Sequence, residues 1–158
     1  MAAAFLPDSL RARSTAKIFG HPIYPMPVPF PLVCFIGALV TDIVYSRTGL
    51  EQWSNFSGWL IFAGLGMGVL AGLAGMIDYW GNRAVRAQKP ALPHMLLNLA
   101  VFAIEVVNAL VHSRDGWTAV VPTGLTLSAI AAVLLAISAW LGGSLSYVRG
   151  VGVSDARR

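Results

Sequence analysis

Four long apolar runs alternate with short polar intervals along the chain, at about 28–45, 58–77, 93–112 and 120–141. Runs of this length match the roughly 20 residues a helix needs to cross ~30 Å of hydrocarbon, so each predicts a spanning helix. The connections between them are short, and successive spans must therefore run antiparallel. The third run stands apart, because polar residues are set into it at one repeated spacing. In PHMLLNLAVFAIEVVNALVHSR, His94, Asn98, Glu105, Asn108 and His112 fall at steps of four, seven, three and four, with Val101 filling the gap. At 3.6 residues per turn these positions share one face. That stripe is roughly 27 Å long at ~1.5 Å per residue, nearly the depth of a bilayer. Glu105 sits near its middle. An ionised carboxylate facing lipid there costs at least ~2.5 kcal/mol, so Glu105 must face protein, water or a ligand, or stay protonated and bonded to Asn108 or a backbone carbonyl.

The other runs have their own punctuation. Before the first, GHPIYPMPVPFP carries Pro22, Pro25, Pro27, Pro29 and Pro31, which exclude a regular helix ahead of the last and favour an extended approach. Asp42 lies near the far end of that span, and SRTGLEQWSNFSG reads as a loop with Trp53 as an interfacial anchor. In the second run, Gly64, Gly68 and Gly72 form a small-residue ladder extended by Gly75, a flat face for another helix or a planar ligand. That run closes on Asp78. Pro93 opens the third span as a first-turn residue, and a glycine-rich stretch follows the fourth.

Composition narrows the class. Of 158 residues, 56% are hydrophobic and 11% charged, against about 25% charged in soluble domains, which excludes a water-soluble fold. The expected architecture is all-α: an antiparallel four-helix integral membrane bundle over residues 21–148, flanked by a basic arm at 1–20 and a basic tail at 149–158. Arg11, Arg13, Lys17, Arg83, Arg86, Lys89, Arg149, Arg157 and Arg158 fall in the arm, the central loop and the tail, while Arg47 and Arg114 occupy the other two loops. This bias predicts that both termini are cytoplasmic. The net charge of +4 needs no nucleic acid to explain it, since anionic headgroups of the bilayer are the natural partner. The apolar run near the N-terminus starts too late and is too rich in proline for a signal peptide.

Much chemistry is excluded by what the residues lack. A single cysteine, Cys34, inside an apolar run, rules out a disulfide framework or a cysteine metal cage within one chain. There is no His-x-x-x-His, His-Glu-x-x-His or Cys-x-x-Cys, so zinc would require His21, Asp78 and His94 to converge. GLGMGVLAG lies within a span and lacks the strand-turn-helix setting of a dinucleotide loop. Ser144 and Ser146 have no base in their motif, which leaves no catalytic residue to name.

The chain resembles the bacterial four-span membrane family known as domain of unknown function 2231. The likeness rests on His21-Pro22 before VPFP, Asp42 at the end of the first span, Gly75 to Asp78 closing the second, His94 opening the third, and WLGGSLSYVRGVGV from Trp140 to Val153. It implies a multi-pass fold and an address in the bacterial inner membrane, and no particular activity.

Function must then come from the residues. Antiparallel spans put His21, His94, Asp78 and Tyr147 at one level and Asp42, Asn108, His112 and Arg114 at the other. One expectation is a b-type haem held by His21 and His94 as axial ligands, with the glycine ladder accepting the flat macrocycle and a quinone or redox protein as partner in electron transfer. A second is a proton or ion pathway along His94, Asn98, Glu105, Asn108 and His112, in a homo-oligomer because four spans make a thin wall. A third is a structural subunit of a larger membrane complex, with the polar stripe as interhelical glue.

Overall fold

The computed structural model describes residues 12–113 and 120–152. The arm up to Arg11, the turn holding Arg114 and the tail containing Arg157 and Arg158 lie outside the described residues.

The proline-rich approach begins as a two-residue hairpin, β1 (Lys17–Ile18) against β2 (His21–Pro22), with Lys17 opposite Pro22 and Ile18 opposite His21. Its turn places Phe19 at φ 49° and Gly20 at φ 81°, the paired positive values of a tight hairpin turn. Helix α1 (Pro29–Thr48) then starts on prolines whose missing N–H groups cost nothing in a first turn. It ends on Gly49 in the left-handed conformation at φ 67°. Helix α2 (Glu51–Gly81) follows at once, so most of the interval expected as a loop between Ser46 and Gly58 is helical, including Trp53. The apolar part of a helix marks what lies in lipid, whereas its hydrogen bonds carry it further into the polar layer. For the same reason the other spans outrun their apolar cores. A single turn α3 (Arg83–Arg86) is capped by Asn82, whose Oδ1 accepts from the N–H of Ala84 at 2.8 Å. Helix α4 (Ala91–His112) carries the polar stripe. Helix α5 (Val120–Val148) has a regular middle, Leu125–Gly143, and an irregular entrance where Val121 is extended and the Val121–Pro122 peptide is cis.

The four long helices are each long and apolar enough to cross a membrane. They form a ring in which α1 and α4 each pack against both α2 and α5. Residues 12 and 152 meet at one end, where the Gly152 N–H donates to the Ala12 carbonyl at 3.0 Å; we call this the terminal end and its opposite the far end. The polarity of the bundle is inverted relative to a soluble protein. Val33, Phe62, Leu99 and Trp140 are exposed, whereas Asp42, Ser57, Glu105, Asn108, Ser128 and Ser138 are fully buried. A bilayer solvates the first set, and only protein can solvate the second.

Between the ends the interior is apolar. Phe35, Val101, Ala131 and Leu135 form one buried cluster, backed by Leu32, Leu65, Ile104 and Leu134. The glycine ladder does not make one flat face. Gly64 is buried against Phe35, a Cβ on Gly68 would lie 3.5 Å from the Phe102 ring, one on Gly72 would meet open space, and Gly75 lies under the Tyr24 ring. Each four-residue step overshoots a turn by roughly 40°, which swings the ladder out of the helix contact within two steps.

Candidate functional site

The apolar layer divides the polar residues of the interior into two clusters. On α4, Val101 separates Asn98 from Glu105; on α5, Ala131 and Leu135 separate Ser128 from Ser138.

The far-end cluster joins three helices. Asp42 of α1, fully buried, accepts from Ser128 Oγ of α5 through Oδ2 at 2.6 Å. Its Oδ1 lies 2.9 Å from Nε2 of His112 on α4, with both side chains almost wholly out of solvent. The other imidazole nitrogen, Nδ1, donates to the Asn108 backbone carbonyl at 3.0 Å. Both ring nitrogens thus face oxygen acceptors, which makes the pair an imidazolium beside a carboxylate or the equivalent with the proton on Asp42; either way it is neutral as a unit. Asn108 Nδ2 donates to Ser128 Oγ at 2.9 Å and to Glu105 Oε2 at 3.1 Å. Since the Ser128 hydrogen goes to Asp42, both groups around that nitrogen are acceptors, which fixes the orientation of the amide. Glu105 Oε1 and Asn108 Oδ1 are buried without a partner. Beside this cluster Thr41 and Ser57 share a 2.6 Å hydroxyl contact that ties α1 to α2.

The terminal-end cluster is centred on His94. Its Nδ1 donates to the Ser138 carbonyl at 2.8 Å, which leaves Nε2 as an acceptor. That lone pair receives the Tyr24 hydroxyl at 2.9 Å and Asn98 Nδ2 at 3.1 Å, while Ser138 Oγ donates to Asn98 Oδ1 at 2.8 Å. The imidazole stands against Gly142, where a Cβ would lie 2.9 Å from Cε1. Tyr24, outside the spans, has its phenol pushed up to about 12, by burial first and then by the charge of Asp78. Asp78 itself is spent on the chain's beginning: its carboxylate accepts from Ser14 Oγ at 2.9 Å and from the N–H groups of Thr15 and Ala16 at 2.6 and 2.8 Å.

The structure places the two proposed axial ligands apart in role. His21 is exposed on the hairpin, paired across it with Ile18, and the tyrosine three residues later occupies the position at His94. Because the one lone pair of His94 is already taken by Tyr24 and Asn98, and the glycine ladder offers no continuous flat face, these residues do not fit an axially ligated haem. Asp78 does not join them as a zinc ligand either. Among the described residues, no three of histidine, cysteine, aspartate and glutamate are grouped to hold a metal ion.

Tyr24, Ser128, Ser138 and Gly142 complete the clusters without having been marked by the polar pattern. A signal for the serines exists: Ser128, Ala131, Leu135 and Ser138 follow at steps of three, four and three, one helical face with a hydroxyl at each end in an otherwise apolar span.

A family model described as a predicted membrane protein, DUF2231, matches residues 20–155 of the chain. No curated protein and no solved structure matches it.

Proposed function

Given that the chain belongs to the DUF2231 family of predicted membrane proteins, we propose that it binds and passes protons within the membrane through the far-end cluster. The observation that carries this reading is the grouping of three buried titratable side chains, His112, Asp42 and Glu105, joined by hydrogen bonds through Ser128 and Asn108 in a bundle whose outside is apolar. Asn108 holds Glu105 in place without relaying, so a proton passing between Ser128 and Glu105 needs a water beside the amide. Two carboxyl groups and an imidazole inside a membrane bundle are expensive, and ionisable residues so placed characteristically mark proton and ion paths. Ser128 can hand on a proton, because its hydroxyl both donates and accepts. The apolar layer closes the cluster toward the terminal end in this conformation, so passage across the whole bilayer requires that layer to open or to admit water.

Proton flux into proteoliposomes, followed by an entrapped pH-sensitive dye under an imposed potassium-diffusion potential, tests the reading. Vesicles holding the wild-type protein should acidify faster than empty vesicles, and Glu105→Gln and Asp42→Asn should remove the difference. Wild-type vesicles no more permeable than empty ones, or flux indifferent to both substitutions, would overturn it in favour of a purely structural subunit.

A further inference from the structure

The two unpartnered oxygens of the far-end cluster belong to residues that already share one hydrogen bond. Asn108 Nδ2 donates to Glu105 Oε2 at 3.1 Å, while Glu105 Oε1 and Asn108 Oδ1, both buried, have no partner. Both residues are 0% exposed. If Glu105 is an anion, both orphans are acceptors and nothing can satisfy either from the other. A single hydrogen on Oε1 changes this. The carboxyl then accepts the amide N–H through Oε2 and donates to the amide oxygen through Oε1, which closes an eight-membered acid–amide ring and uses both orphans at once.

We infer that the Glu105–Asn108 pair is a proton-binding site, in which Glu105 rests as a neutral carboxylic acid doubly bonded to the Asn108 amide. Three features converge on it. The half of the ring already present has the amide nitrogen where the ring needs it. The second hydrogen on that nitrogen goes to Ser128 Oγ at 2.9 Å, so the amide is fully used and cannot turn over without setting its oxygen against acceptors. Charge agrees as well: Asp42 and His112 are neutral as a pair, so an ionised Glu105 would leave one uncompensated negative charge in the membrane interior, and a neutral Glu105 leaves none. An alkali cation would also balance the charge, but it needs several oxygen ligands, and among the described residues two buried oxygens are free here. Asn108 is a positioning residue in this scheme, since an amide does not titrate and cannot itself relay the proton. The ring is inferred from the one observed Asn108–Glu105 bond and the two unpartnered oxygens beside it; its role as the resting place of a transported proton rests on the function proposed above.

Infrared difference spectroscopy on the protein in lipid at neutral pH, wild type minus Glu105→Gln, tests the site. Glutamine can reproduce the same ring with its own amide, so the fold should survive the substitution. The expected difference is the loss of one carboxylic acid C=O stretch that moves to lower frequency in D2O. Loss of a carboxylate stretch instead, in sodium or in choline buffer, would overturn the assignment and, if it depended on sodium, replace the proton by a cation. Flux measured on the same samples keeps the two conclusions apart. The acid band without flux sinks the transport reading and leaves the ring; flux without the acid band sinks the ring and leaves transport.

Discussion

Asp42 and His112 face each other from helices that stand diagonally across the bundle, and their 2.9 Å contact is sealed from solvent on both sides. Neither helix is the other's neighbour in the ring, so this pair does what backbone packing does not: it fixes α1 and α4 in register through the centre. Removing one member strands the other as a buried polar or charged group. Asp42→Ala is expected to destabilise the bundle by about 3–5 kcal/mol, and the double variant Asp42→Ala/His112→Ala by much less than the sum of the two single changes. Thermal unfolding of the four proteins in one detergent gives this coupling directly.

Gly142 has its counterpart test at the other end. A methyl group there would meet the His94 ring at 2.9 Å and push it off the Ser138 carbonyl, so Gly142→Ala should cost about 1–3 kcal/mol, as overpacking does. Gly72, with open space around it, is the control. Gly72→Ala should not destabilise, whatever the sequence ladder suggests about its partners.

The Tyr24 phenol carries a pH dependence whose sign is fixed. Its folded value of about 12 lies above the ordinary 10.0, so the folded state holds that proton more tightly than the unfolded chain does. The stabilisation is complete below pH 10 and is lost as pH rises toward 12. Tyrosinate absorbance should show one late-ionising group that is absent from Tyr24→Phe, and the variant should lose the fall in stability over that window.

At the same end Asp78 holds residues 14–16 by three donors from that segment. Asp78→Ala removes every one of those acceptors. Trypsin should then cut after Arg13 and Lys17 well before it cuts the helices, whereas the wild type should resist at both sites over the same time course; equal cleavage would show that the clasp does not hold the segment.

The spacing within a single helix was readable in advance, and contacts between helices were not. Glu105, Asn108 and Val101 are buried where the 3.6-residue period puts them. That His94 would be met by Tyr24 rather than His21 depends on the hairpin at Lys17–Pro22, which turns His21 outward, and proline spacing announces a break without giving its shape. Ser128 and Ser138 were hidden for a related reason. One hydroxyl in an apolar helix commonly bonds its own backbone, and only the neighbouring helix shows that Ser128 instead reaches Asp42. The start of α2 is hidden in the same sense, because its polar first turns look like a loop until Gly49 closes α1 beside them.

The layer built from Phe35, Val101, Ala131 and Leu135 blocks matter without blocking a field. Asn98 and Glu105 are separated by roughly 10 Å of helix rise, a distance no hydrogen bond spans. The titratable group beyond the layer is His94, roughly 16 Å of helix rise from Glu105. Two unit charges at that distance still interact by about 1 kcal/mol at an effective dielectric of about 20, enough to bias an equilibrium on the order of fivefold. The closed bundle is thus wired like a capacitor: charging one plate is felt on the other, though nothing crosses between them until the layer opens.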